Sequence, residues 1–113
     1  MGSLNLEEVT EIHITTGQIH EDINSLVIPN CPKLTKLTYS NAINTIGSLG
    51  GCSLLSAFAL NDNIQRIEDT SLKNCTSLSE IYLGDSLIYL GSDFCYNCTA
   101  TIMWSNNCPL TTL

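Results

Sequence analysis

Cys31, Cys52, Cys75 and Cys98 recur at intervals of 21, 23 and 23 residues, and an apolar pattern recurs in step with them. Three residues after the cysteine slot comes Leu34, Leu55, Leu78 and, weakly, Thr101. From there the pattern is L-x-x-I-x-L: Leu34, Leu37, Tyr39; Leu55, Phe58, Leu60; Leu78, Ile81, Leu83. A looser first copy reads Val9, Ile12, Ile14, and a decayed last one Thr101, Trp104, Asn106. A second apolar pair follows in the three clean copies, at Ile43 and Ile46, Ile64 and Ile67, Leu87 and Leu90. A unit of about this length cannot bury its own apolar face, so the units must stack and share one core.

The alternation within L-x-x-I-x-L is that of a strand with one buried face. After a polar turn (NDN at 61–63, GDS at 84–86) the second pair suits another short extended segment. Each copy is then one coil of a solenoid. Stacked at roughly 4.8 Å, the coils join their apolar faces, and each buried Leu or Ile contributes about 1.5–3 kcal/mol. The stretches EDTSLKN and GSDFCYN, carrying Leu72 and Phe94, are expected to form short helical turns on the convex side. In the shorter second copy, GSLGG is expected to make a tight turn with its glycines.

With 113 residues, of which 43% are hydrophobic and 13% charged, the chain is expected to fold as one domain. Residues 1–8 would be an N-terminal tail or cap, with Met1-Gly2-Ser3 an expression remnant. Four to five repeats of 21–25 residues would occupy 9–104, and 105–113 would be a C-terminal edge or incomplete repeat. No apolar run is long enough to cross a bilayer as a helix, so membrane insertion is not expected. Eleven acidic against four basic residues disfavour binding to nucleic acid.

Six cysteines in a short chain suggest a disulfide framework if it is secreted. Four of them share one repeat slot, however, which is met more simply by small apolar plugs, that is, free buried thiols. Cys95-Tyr-Asn-Cys98, with Cys108 nearby, could be a zinc knuckle or a redox pair, but His13 and His20 lie at the opposite end of a stacked solenoid, leaving no fourth ligand. No metal or cofactor is therefore expected. Asn74-Cys-Thr and Asn97-Cys-Thr fit the glycosylation sequon, yet they follow the same period. Glu7-Glu8, Glu21-Asp22 and Glu68-Asp69 would point to opposite faces of an extended chain. No nucleophile, base and orienting group come together in any catalytic pattern, so no enzymatic activity is expected.

The copies LSAFALNDNIQRIEDTSLKNC and LSEIYLGDSLIYLGSDFCYNC resemble the BspA-like (Treponema pallidum type) leucine-rich repeat over about residues 9–104. Two features depart from its pattern. The proline after the strand is absent, and Phe94 and Cys95 stand where a small residue and Phe are usual. The resemblance implies a right-handed coil with a concave parallel β-sheet, short second strands and short helical turns on the convex side. A parallel β-helix of similar coil length is the competing fold. The resemblance also implies a non-enzymatic recognition module of a cell-surface or secreted protein, adhesive towards protein or other extracellular macromolecules. A spacer holding another domain away from the cell is the alternative.

Recognition would fall on the outward rows of the first strands. One row is Glu11, Lys36, Ala57, Glu80, Met103; the next is His13, Thr38, Ala59, Tyr82, Ser105; a third is Thr15, Ser40, Asn61, Gly84, Asn107. The adjacent Ala57 and Ala59 would leave a shallow apolar dip beside Tyr82, rimmed by Lys36 and Glu80, and these five residues are the candidate ligand-binding patch. At the C-terminal edge, TIMWSNNCPLTTL carries Trp104, Leu110 and Leu113 without a charge, and end-to-end self-association is expected there.

Overall fold

The computed structural model describes residues 6–15, 24–28 and 30–110. Met1–Ser3, His20, the Glu21–Asp22 pair and Leu113 lie outside the described residues.

Leu34, Leu55 and Leu78 form one column with 0%, 0% and 3% of their surface exposed. Parallel columns are built by Ile43, Ile64 and Leu87, by Ile28, Leu49 and Leu72, and by Cys31, Cys52 and Cys75, all buried in one continuous core. Among the described residues the strands are β1 (Glu11–Ile14), β2 (Ser25–Val27), β3 (Lys36–Tyr39), β4 (Thr45–Ser48), β5 (Arg66–Ile67), β6 (Glu80–Leu83), β7 (Tyr89–Leu90) and β8 (Thr101–Trp104). They pair in parallel, β1 with β3, β6 with β8, and β2-β4-β5-β7 as a four-stranded sheet. The fold is a parallel-strand solenoid, as the period requires.

Hydrogen-bond continuity is divided unequally between the two strand rows. The second-strand row is unbroken, whereas the first-strand row narrows at the third copy to a single Lys36–Ala57 bridge. Ala57 and Ala59 explain the break, because alanine offers little cross-strand packing to hold a strand in register.

No helix forms among the described residues, so the expected helical turns are corrected to runs of turns over 69–74 and 92–97. The amides divide their labour. Those of Ser71, Lys73 and Cys75 close turns onto Glu68, Thr70 and Leu72, while those of Thr70, Leu72 and Asn74 donate to the Ser92, Phe94 and Tyr96 carbonyls of the next coil. A helix would direct every amide along its own axis and leave the coils unlinked. The turns require left-handed backbone at Thr70, Asn74, Asp93 and Asn97, and at Gly51 (φ +86°) in the short copy, where the glycine turn forms as expected. Asn tolerates this conformation, and Asn97 Nδ2 donates to Asn74 Oδ1 (2.8 Å), so packing and backbone geometry explain the repeated Asn-Cys-Thr.

The last coil is shorter than expected. β8 pairs Thr101 with Glu80, Ile102 with Ile81, Met103 with Tyr82 and Trp104 with Leu83. The expected register, with Met103 beside Glu80 and Ser105 beside Tyr82, is therefore corrected by two residues. Ile102, not Trp104, turns towards the core, because it is the apolar residue that a Cys98-to-strand segment of this length brings there. Ser105 then occupies the turn slot of Ser40 and Asn61: each of the three accepts the amide two residues on, from Asn107, Ala42 and Asn63 respectively.

All six cysteines are free, and Cys31, Cys52 and Cys75 are buried. The slot prefers a thiol because it must be small and apolar yet able to donate. Cys75 Sγ lies 3.2 Å from the Leu49 carbonyl of the preceding coil, and Cys98 Sγ lies 2.9 Å from that of Leu72. Burial pushes the Cys75 thiol up to about 12 and raises Cys31 and Cys52 as well. A thiol raised on folding leaves the unfolded chain to ionise first, so stability is full below the ordinary value near 9 and declines as pH rises from there towards about 12. Urea midpoints at pH 7.5, 9.5 and 10.5 are expected to fall progressively. A Cys75→Ala variant should show a shallower decline.

Candidate functional site

The outward residues of the first strands form the candidate surface, and its relief follows from the break in that row. Between the third and fourth copies Ala59, Phe58, Leu60, Ser79, Glu80 and Tyr82 surround a hollow of about 120 Å³. On the other side of Phe58, a larger hollow of about 280 Å³ is lined by Leu37, Thr38, Tyr39, Ala57, Ala59 and Asn61. The structure thus brings Ala59, Glu80 and Tyr82 together, and sets Ala57 and Ala59 on the floor of the neighbouring depression. Lys36 joins Ala57 through the backbone bridge and lines neither hollow.

Two aromatic residues outside the expected patch shape it. Tyr39 and Phe58 meet with ring centroids 5.7 Å apart, and Tyr39 Oη donates to the Ala59 carbonyl at 2.7 Å. Burial raises the Tyr39 hydroxyl to about 12, which keeps it a neutral donor at physiological pH. Their contribution was partly visible in the sequence, since both fall in the core slots of L-x-x-I-x-L.

Tyr82 is half-buried and tied down. Its Oη donates to Asp62 Oδ1 at 2.7 Å, and the same oxygen accepts the Asp85 amide at 3.1 Å. The hydrogen bond to the Asp62 carboxylate is the main cause of the raised Tyr82 hydroxyl. One strand over, the pattern repeats: Asp69 Oδ1 accepts Tyr89 Oη and the Ser92 amide, each at 2.9 Å. A third example begins where Ser105 Oγ donates to Asp85 Oδ1. An aspartate at one turn therefore caps the turn of the next coil and anchors an aromatic or hydroxyl side chain. The arrangement holds the Tyr82 ring in place on the face.

At the N-terminal end of the face, His13 Nδ1 lies 2.7 Å from Thr38 Oγ1 and Nε2 lies 3.1 Å from Glu11 Oε1, bracing β1 against β3. On the second-strand face Arg66 stacks over the Tyr89 ring at 4.2 Å and pairs with Glu68 at 3.1 Å. These exposed contacts are worth little individually. Among the described residues no group of three or more His, Cys, Asp and Glu side chains is placed to hold a metal ion, and no helix is long and apolar enough to cross a membrane.

Comparison with curated proteins and with solved structures gives no match. The family model described as BspA type leucine-rich repeat region (6 copies) matches residues 4–102. That span covers most of the chain and coincides with the stacked coils. The chain therefore belongs to the BspA type leucine-rich repeat family, and its solenoid is a repeat-based protein-interaction module.

Proposed function

We propose that the chain is a non-enzymatic recognition module of a cell-surface or secreted protein, which binds a protein or other extracellular macromolecule, in the manner of an adhesin, through the first-strand face. The family supports the interaction role. The observation that carries the site is the interrupted strand row: the two hollows beside Ala57 and Ala59, flanked by the anchored Tyr82 and by Tyr39 and Phe58, are the main relief on an otherwise plain face. Glu80 and Lys36 supply a charge of each sign at the margin. Hollows flanked by anchored aromatic rings are the kind of feature that concentrates binding energy in protein contacts.

The test is direct binding of the chain to immobilised extracellular-matrix and host-cell surface proteins. An Ala59→Arg variant, which fills the hollows from an exposed position, and a Tyr82→Ala variant are each expected to weaken binding at least tenfold while keeping the parental circular dichroism spectrum. Undiminished binding by both would move the site off this face. Failure of the parent to bind any of these proteins would favour the spacer reading.

A further inference from the structure

The carbonyls of Thr10, Thr35 and Ser79 share one slot of the repeat, and each accepts an amide of the next coil: from Lys36 at 3.2 Å, Ala57 at 2.9 Å and Thr101 at 2.9 Å. Ser56 holds the same slot in the third copy, and its carbonyl accepts no bond among the described residues. The Phe58 carbonyl two residues on is also unbonded there, as are the amides of Ser79 and Glu80 that would have met Ser56. The first-strand ladder is thus open at this rung, and the hollow of about 120 Å³ lies at the opening, with Ser56, Phe58, Ser79, Glu80 and Tyr82 in its lining. Main-chain carbonyls are strong acceptors, so the rung offers sites that its neighbours use between coils.

Charge decides which donor fits. Glu80 is exposed and forms no ion pair among the described residues. Asp62 and Asp85 meet at the hydroxyl end of the Tyr82 ring, where the Asp85 amide bonds the same Asp62 oxygen as Tyr82. No Lys or Arg lines the hollow. Lys33 pairs with Glu8, Arg66 pairs with Glu68, Lys73 lies over the Tyr96 ring, and Lys36 joins Ala57 on the side away from Glu80. An anion would be repelled here, and a neutral amide would leave Glu80 uncompensated. Of the two biological cations, an ammonium is compact and strongly hydrated. A guanidinium presents five donors in one plane, which suits several acceptors at once, and it stacks on aromatic faces.

We propose that the open rung is a pocket for one arginine side chain of the partner protein, whose guanidinium donates to the Ser56 and Phe58 carbonyls and the Glu80 carboxylate and stacks against Tyr82. This rests on the first-strand face being the recognition surface, and it names the chemistry that surface selects.

The probe is N-acetyl-L-arginine amide, titrated into the isotope-labelled 113-residue protein and followed by nuclear magnetic resonance. Binding is expected to saturate, with the largest shifts at the amides of Phe58, Ser79 and Glu80. The corresponding lysine and glutamine amides should bind at least fivefold more weakly, and high salt should weaken the arginine probe. Glu80→Gln should weaken it at least fivefold, while Asp93→Asn, which removes one charge at an exposed position elsewhere, should not. Shifts that do not saturate, that fall on other amides or that lysine reproduces overturn the proposal, as does unchanged affinity in Glu80→Gln. The pocket and the broader recognition role fail separately. Binding of extracellular proteins that Tyr82→Ala weakens and Glu80→Gln leaves unchanged overturns the arginine pocket and keeps the face. Saturable arginine binding at the rung, by a protein that binds none of those extracellular proteins, supports the pocket and counts against the adhesive role.

Discussion

Leu55→Ala is expected to cost about 2–5 kcal/mol, the range for removing a fully buried leucine when its surroundings cannot close over the gap. Leu55 has no exposed surface and lies midway in the column between Leu34 and Leu78. Its side chain serves the interface above and the interface below. In a stacked array each coil draws its stability from its neighbours, so a central cavity weakens two junctions at once. A domain of this size holds about 5–15 kcal/mol in total, which makes the loss a large share. Equilibrium urea unfolding should show a much lower midpoint, and a shallower or two-stage transition if the coils on either side uncouple. Leu110→Ala, at a half-buried position beyond the last complete coil, should change the midpoint little. Equal effects at the two positions would contradict a shared column.

Gly91→Val is the second large effect. A Cβ at Gly91 would stand 2.3 Å from the Asp69 amide nitrogen and 2.5 Å from the Glu68 carbonyl carbon. Both are backbone atoms of the preceding coil, so no rotamer change relieves the clash. The coils would have to separate where the Gly91 amide bonds the Ile67 carbonyl at 2.7 Å and where Asp69 caps Ser92. Overpacking of this kind costs about 1–3 kcal/mol, and the branched valine belongs at the upper end. Gly50→Ala is the control, since its Cβ would approach nothing nearer than the Lys73 carbonyl at 3.7 Å. Thermal unfolding followed by circular dichroism should separate them, with Gly91→Val well below the parent and Gly50→Ala close to it. Because Gly91 faces the preceding coil, the valine variant should also speed hydrogen exchange at the Leu72 and Asn74 amides, which bond across the same junction.

The candidate face shows where sequence reading reaches its limit. Two alanines in successive outward positions announce a place with little side-chain volume, and the hollows stand there. Nothing in the one-dimensional pattern indicated that the strand row would break at that point, or that Tyr39 and Phe58 would flank the gap. Tyr82 could be read as the aromatic residue of its row, but its anchoring by Asp62 depends on a turn twenty residues away in the chain and one coil away in space.

By itself the sequence determined the solenoid, the inward columns of Leu, Ile and Cys, and the free thiol in the cysteine slot. Those features follow from burial, and burial leaves a periodic mark because each coil must present the same face to the same core. Tertiary structure alone decided which strand row is continuous, that the outer segments are turns instead of helices, and that the last coil pairs Ile102 with Ile81. These depend on hydrogen bonds between neighbouring coils, such as Leu72 to Phe94, whose partners are chosen by the local height and length of the adjoining coil and not by the residues that make them.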